Sequence, residues 1–300
     1  MKHSKILVMA AILSLAISCS RTNRDVNVVL IGLDGWGSFC WEQAEMPTAK
    51  ALMDEGSWTL NKRSVLKSAS AINWASMLNG VPTEMHGFTK WNSKAPVFAQ
   101  PTEERIPSIF TILRQQKPGS VIESVYEWDG VKYVIDSTAF DKRIWTGKDT
   151  LDINYTTEQV EKCLIEDKPD LFYVHYDQPD HEGHGKGFGS AEYYDILPKL
   201  DLCIKRIIEA TKTAGTFEKT IFIVTSDHGG IEKSHGGETL REMETPFVIC
   251  GPGIKKGHKL ETFMMQYDVA STIASALGLK QPELWRGRPV DCFEYAATRS

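Results

Sequence analysis

The apolar run Thr220–Thr225 leads into Ser226, Asp227 and His228, followed at once by Gly229 and Gly230. A carboxylate and an imidazole side by side at a strand end can grip one divalent ion from two directions, and the glycines free the backbone to turn there. The segment Gln178–Gly187 gathers Asp180, His181 and His184 in a glycine-rich loop. Asp180 and His184 are four positions apart, a spacing that lets both face one ion across a single turn. His235, followed by Gly236 and Gly237, offers another imidazole, and Asp34 with Gly35 follows the run Val26–Ile31. Five of the eight histidines fall between positions 175 and 235, a concentration that random scatter explains poorly. Zinc and similar borderline metals accept both imidazole nitrogen and carboxylate oxygen. Asp180, His184 and His235 would make one three-ligand site with an open position, and Asp34, Asp227 and His228 a second. Two ions about 4 Å apart form a clamp for in-line displacement at phosphorus, one holding the nucleophile and the other the leaving oxygen.

A nucleophile for such a clamp lies in Lys67–Gly80, which offers Ser68, Ser70 and Ser76. Coordination to a metal lowers a serine's pKa enough to populate the alkoxide. Spacing alone does not choose among the three. A helix starting near Ile72 would aim its N-terminus, and the free backbone donors there, at a phosphate. The remaining histidines read differently. His175 sits mid-strand as a packed or hydrogen-bonded side chain, His181 as a solvent-facing neighbour of the cluster, and His86 as a structural turn residue. Trp36, Trp41, Trp74 and Trp91 read as core by default, with the mouth of the site as the alternative place for them.

These residues need a frame. Val26–Ile31, Asp170–Asp177, Thr220–Asp227 and Thr245–Gly251 are short apolar runs rich in β-branched residues, the pattern of strands covered on both faces. Between them lie helical patterns at Thr156–Glu166, at Pro198–Thr213 with Gly215 as its stop, and at Asp268–Leu277. The alternation predicts an α/β sandwich, a mainly parallel sheet with helices on both faces. Ligands in such sheets gather at the carboxyl ends of the strands, which is where Asp34, Asp177–His184 and Asp227–His228 fall. Ala95–Lys148 reads as irregular. No repeat or second domain boundary interrupts 26–300, which is expected to form one catalytic domain.

The chain has 300 residues with a formal net charge of -5, so no basic face points to nucleic acid. Lys2 and Lys5 precede the apolar run Ile6–Ile17, too short to span a bilayer but suited to a secretory signal over 1–18. Leu15–Cys19 resembles a bacterial lipobox, in which Cys19 carries the lipid and 19–25 is a linker. The expectation is an exported protein, periplasmic or anchored as a lipoprotein, that meets membrane only through that lipid. The other cysteines, Cys40, Cys163, Cys203, Cys250 and Cys292, are odd in number and lack paired spacing, which argues against a disulfide scaffold and a thiolate zinc cluster.

Taken in order, VLIGLDGWG, SASAINWASMLNG, PDHEGH, TSDHGG and SHGGET resemble the alkaline-phosphatase superfamily, and within it the type I phosphodiesterase/nucleotide pyrophosphatase family. The resemblance runs from about Val26 to Val290 and implies the superfamily's three-layer sandwich. It implies that Asp34, Ser70, Asp227 and His228 hold one zinc ion and Asp180, His184 and His235 the other. Ser70 stands at the nucleophile, and Asn73 matches an asparagine that donates to a phosphoryl oxygen. Ile72 replaces a common proline, and serine a commoner threonine. The implied reaction is cleavage of a small phosphodiester or pyrophosphate through a phospho-serine. Three carboxylates and an ionised Ser70 balance two divalent ions, and no arginine lies near Ser70, which favours a singly charged diester over a monoester dianion. A phosphomonoesterase, a sulfatase-like hydrolase and a lipid-anchored binding protein with a decayed site are the alternatives. A sulfatase needs a C/S-x-P-x-R setting that Ser68–Asn73 lacks, a mutase would be cytoplasmic, and a full ligand set argues against decay.

Overall fold

The computed structural model describes residues 26–97, 105–149 and 151–294. The signal read over 1–18, Cys19 and the rest of the linker lie outside the described residues. Eight strands form one sheet: β1 (Asn27–Leu33), β2 (Gly56–Arg63), β3 (Ile122–Tyr126), β4 (Lys142–Trp145), β5 (Leu171–Tyr176), β6 (Thr220–Thr225), β7 (Glu244–Cys250) and β8 (His258–Lys259). Their order is β4-β3-β5-β1-β6-β7-β2-β8, and β7 runs against both of its neighbours while every other pair is parallel.

All seven residues of β1 are buried, because the sheet is covered on both sides. Val28 and Leu30 face one core with the helices Ser70–Asn79, Ile109–Gln116 and Asp268–Ala276. Val29, Ile31 and Leu33 face the other with Pro47–Asp54, Ile153–Glu166 and Ala191–Ala214. The period-two alternation of a strand thus feeds two cores at once, and each buried Val, Leu or Ile contributes roughly 1.5–3 kcal/mol. This is the three-layer sandwich that the sequence leads one to expect.

Two readings need correction. Ala95–Lys148 is not irregular: it holds the Ile109–Gln116 helix, β3 and β4. Buried Glu123 and Ser124 interrupt the apolar pattern of β3, and β4 is a four-residue edge strand. The third long helix begins at Ala191 rather than Pro198, with Ser190 Oγ accepting from Tyr193 N–H at 3.2 Å as its cap. Pro198 is accommodated inside it. The thiols behave as small hydrophobes, since burial pushes Cys40, Cys163 and Cys292 up to about 12. None of the described cysteines is paired.

Candidate active site

β5, β1 and β6 are parallel neighbours, so their carboxyl ends open side by side. The loops leaving them interlock through the backbone. Asp34 N–H donates to Tyr176 O and Asp180 N–H to Asp34 O, both at 2.9 Å, and Gly35 N–H donates to Asp227 Oδ1 at 3.2 Å. Gly35 has φ +71°, and a Cβ there would lie 2.7 Å from Asp180 Cβ. Gly35→Ala is therefore expected to lower stability by about 1–3 kcal/mol and to push Asp180 out of the cluster. A melting curve that matches the parent's would refute this.

Three histidines are set alike. His228 Nδ1–H donates to Gly229 O at 2.8 Å, and those of His235 and His184 donate to Ser68 O and Lys233 O at 2.9 Å. Each Nε2 is left as the lone-pair nitrogen. His228 Nε2 lies 3.2 Å from Asp227 Oδ2, 3.4 Å from Asp34 Oδ1 and 3.2 Å from Ser70 Oγ. His235 Nε2 lies 3.1 Å from His184 Nε2 and 3.8 Å from Asp180 Oδ1, and His184 Nε2 lies 3.3 Å from Asp180 Oδ2. Asp34 Oδ1, Asp180 Oδ1 and Asp227 Oδ2 are buried without a hydrogen-bond partner. Lone pairs thus converge on lone pairs, an arrangement that repels itself unless a cation, or in its absence protons on the carboxylates, sits among them. Within this cluster, the sets tight enough to hold an ion are Asp34–Asp227–His228 and Asp180–His228–His235; among the described residues a further such set, Glu123–Cys163–Asp167, shares no residue with it. His228 belongs to both, and His184 closes on Asp180 from the solvent side.

Electrostatics match that geometry. Burial and the charge of Asp34 push Asp180 and Asp227 well above the usual carboxylate range. Burial acts against ionisation of Asp34 as well, yet the His175 hydrogen bond, neighbouring His228 and the Trp74 N–H hold it at about 2. Burial keeps His228 below the usual imidazole value and His235 at about 3, so both are neutral and able to ligate at neutral pH.

The three serines separate clearly. Ser68 Oγ donates to Gly237 O at 2.6 Å and accepts from Gly236 N–H at 3.1 Å, tying two loops together. Ser76 Oγ meets His86 Nε2 at 2.9 Å inside the core, where burial lowers His86 to about 4. Ser70 alone of the three lies against His228 and borders a cavity of about 790 Å³. Its helix starts at Ser70 rather than near Ile72, and the Ala71 N–H is used by Trp91 O at 3.1 Å, so that donor is not free for a phosphate.

Asn73 is placed against expectation. Its Oδ1 accepts from Val65 N–H at 2.7 Å, and its Nδ2 donates to Lys67 O at 3.0 Å and Ala69 O at 3.2 Å. The side chain is fully buried and staples the 65–69 loop, with no donor left for a phosphoryl oxygen. Three further residues support the cluster: His175, read from sequence as packed or hydrogen-bonded, Trp74, read as core, and Lys62, which the sequence reading did not single out. His175 Nε2–H and Trp74 Nε1–H both donate to Asp34 Oδ2, at 3.0 and 2.9 Å, which leaves Oδ1 facing the cluster. Lys62 is wholly buried beneath Asp227, bonded to Ser226 O at 2.7 Å and to Gln266 Oε1. Burial lowers it to about 7. Lys67 and Lys90 bring cations to the cavity wall. A larger groove, of about 1050 Å³, contains none of the cluster residues.

Such a sheet, with a histidine–aspartate cluster at the carboxyl ends of its central strands, places the chain in the alkaline-phosphatase superfamily. Ectonucleotide pyrophosphatase/phosphodiesterase 5 of the mouse superposes with a TM-score of 0.71 at 14% identity, covering 86% of this chain and 96% of that one. A phosphonate monoester hydrolase from Silicibacter pomeroyi gives 0.69 at 17% identity, over 88% and 75%. The chain belongs to the type I phosphodiesterase/nucleotide pyrophosphatase family, whose model matches residues 28–248. Among curated relatives, GPI ethanolamine phosphate transferase 1 of Mus musculus is 32% identical over 169 residues, 49% of this chain and 18% of the relative. The 2,3-bisphosphoglycerate-independent phosphoglycerate mutase of Rhodopirellula baltica is 27% identical over 170 residues, 55% of this chain and 29% of the relative. The matches thus span less than a third of those relatives' lengths.

Proposed function

We propose that the protein hydrolyses phosphodiester or pyrophosphate bonds with Ser70 as nucleophile at a centre for two zinc ions. The observation that carries this is the convergence of three unpartnered buried carboxylate oxygens and three Nε2 lone pairs beside Ser70 Oγ. Asp34, Asp227, His228 and Ser70 would hold one ion, and Asp180, His184 and His235 the other, with His228 near enough to serve either. Bound there, the ions lower the pKa of the Ser70 hydroxyl and neutralise charge that builds on the phosphoryl oxygens. Ser70 Oγ attacks phosphorus, the leaving oxygen departs on the far side, and water then cleaves the phospho-serine. Two inversions retain configuration overall. Lys67 and Lys90 would supply positive charge on the wall where the phosphate lies, and among the described residues no arginine lines that cavity. A diester, with one negative charge, suits this better than a monoester dianion. Family membership and the fold neighbours that act on phosphate and phosphonate esters point the same way.

The test is a pair of nitrophenyl esters on zinc-loaded protein. kcat/KM for bis(4-nitrophenyl) phosphate is expected to exceed that for 4-nitrophenyl phosphate by at least about tenfold, near 1.4 kcal/mol in the transition state. A strong monoester preference overturns the reading. His175 is expected to act on the ions through Asp34. His175→Gln should weaken zinc binding by about 10- to 100-fold, read by competition with a chromophoric chelator, because Asp34 loses a donor that aims it. An unchanged zinc affinity would remove His175 from that role. Export by the N-terminal signal, with Cys19 as the lipid anchor, completes the proposal, and metabolic labelling with a radioactive fatty acid in a Cys19→Ala comparison tests it.

A further inference from the structure

Glu123, Cys163 and Asp167 meet at the end of β3 away from the active centre. Glu123, the second residue of β3, pairs in register with Lys142, the first residue of β4, whereas Tyr126 at the other end of β3 pairs with His175. Register partners on parallel neighbours leave the sheet on the same face, so Glu123 and Lys142 project together. The helix Ile153–Glu166 carries Cys163 in its last turn and is capped by Asp167, four positions on and on the same side. One donor atom each from Glu123, Cys163 and Asp167 lies within 4.8 Å of the other two.

The set has a floor and a mouth. The Glu123 side chain, 3% exposed, and the buried Cys163 form the floor, while Asp167 and Lys142, at 34% and 39%, stand at the mouth. Lys142 Nζ is bonded to Asp167 Oδ2 and lies 3.5 Å from Glu123 Oε1. Glu123 Oε2 is buried with no hydrogen-bond partner. Two carboxylates thus share one ammonium, and the negative end of the helix dipole adds to them, with no basic residue in the last turn. Burial raises Glu123 to about 7 even beside that ammonium. A bare buried carboxylate oxygen is costly, and a divalent ion among these donors would remove the cost. One thiolate with two carboxylates suits zinc and similar borderline ions, whereas magnesium and calcium take oxygen alone. Such a site needs one sulfur, unlike the thiolate cluster that the cysteine spacing argues against.

We propose that Glu123, Cys163 and Asp167 form a separate site for zinc or a similar borderline divalent ion, with Lys142 as its displaceable placeholder. Burial and Glu123 push the Cys163 thiol up to about 12, so the sulfur keeps its proton until a metal displaces it. On binding, that proton leaves to solvent and the Lys142 ammonium swings out from the mouth. The ion then ties the helix to the edge of the sheet, where β4 is only four residues long. The site stands independently of the chemistry proposed at the carboxyl ends of the strands.

Cobalt(II) is the probe, titrated into the metal-free full chain. At the histidine–aspartate centre it meets only nitrogen and oxygen donors, so a thiolate-to-cobalt charge-transfer band in the near ultraviolet reports on a cysteine. The expected band saturates at one cobalt per chain, is bleached by zinc, and is missing in Cys163→Ser. Lys142→Met removes the competing ammonium and should tighten cobalt binding by about tenfold or more, a gain that misfolding would not give. Glu123→Gln should weaken it by about the same factor. No band in the parent, a band that survives in Cys163→Ser, or a Lys142→Met protein that binds no tighter overturns the site.

Discussion

Ser70→Ala is expected to cut kcat by about 10³-fold or more while the protein folds and takes up metal. The fold should survive because the hydroxyl's protein partner is a single 3.2 Å contact to His228 Nε2, at the edge of a cavity and not within the core. Losing it costs about 1 kcal/mol. The chemistry should not survive, since no second hydroxyl can take its place. Ser68 is spent between Gly236 N–H and Gly237 O, and Ser76 is buried against His86. Ser68→Ala and Ser76→Ala are the matching controls and should shift melting more than turnover. Ser70→Thr keeps the hydroxyl and should stay within about tenfold of the parent. Acid quenching during turnover of a labelled diester should leave phosphate on Ser70 in the parent and none in Ser70→Ala. Retention of a tenth or more of the parent's kcat by Ser70→Ala would remove Ser70 as the nucleophile.

That the cluster could be drawn from sequence at all follows from where its members sit. Asp34, Asp180 and Asp227 each come just after a strand whose continuous apolar run is legible, because β1, β5 and β6 are buried on both faces. The parallel order of those three strands then forces their ends together. β2, β3 and β4 gave no such run. β2 carries Lys62 into the interior, where its amine is tolerated because Ser226 O and Gln266 Oε1, far away in sequence, accept its hydrogen bonds. β3 carries Glu123 inward in the same way, facing Lys142 at 3.5 Å. Position in the helix was not enough to assign Asn73 either. Three residues after Ser70, the side chain finds the carbonyls of its own preceding loop before it can find a substrate. His175 reads as a packed or hydrogen-bonded strand residue, but that its partner is Asp34, across 141 positions, has no local signature. Among the serines, the deciding fact was likewise a long-range one, the ring of His228.

The second large effect is an inversion of stability order between the parent and Asp227→Asn. Without metal, burial and Asp34 raise the Asp227 carboxyl well above its ordinary 3.8, so the folded state holds a proton that the unfolded chain has released. Between those two values the native state binds more protons, and stability from this group is lost as pH rises. The loss is about 1.4 kcal/mol per pH unit for each such group. Asparagine has the same shape and no proton to release. In chelator, Asp227→Asn should therefore melt above the parent at pH 7, and the gap should narrow toward pH 5. Comparing the two proteins at each pH cancels the opposing contribution of His235, whose burial lowers its pKa, whereas Lys62 and His228 face Asp227 and shift with it. Zinc reverses the order, because it takes the place of the proton and needs the carboxylate. At a free concentration a thousand times its Kd, one site stabilises by about 4.1 kcal/mol, on the order of 10 °C in Tm for a domain of this size. The parent should gain that shift, most at the higher pH, and Asp227→Asn should lose much of it. Parallel melting curves for the two proteins, indifferent to pH and to zinc, would mean that the converging lone pairs are satisfied by something other than a cation, and the case for a metal centre would go with them.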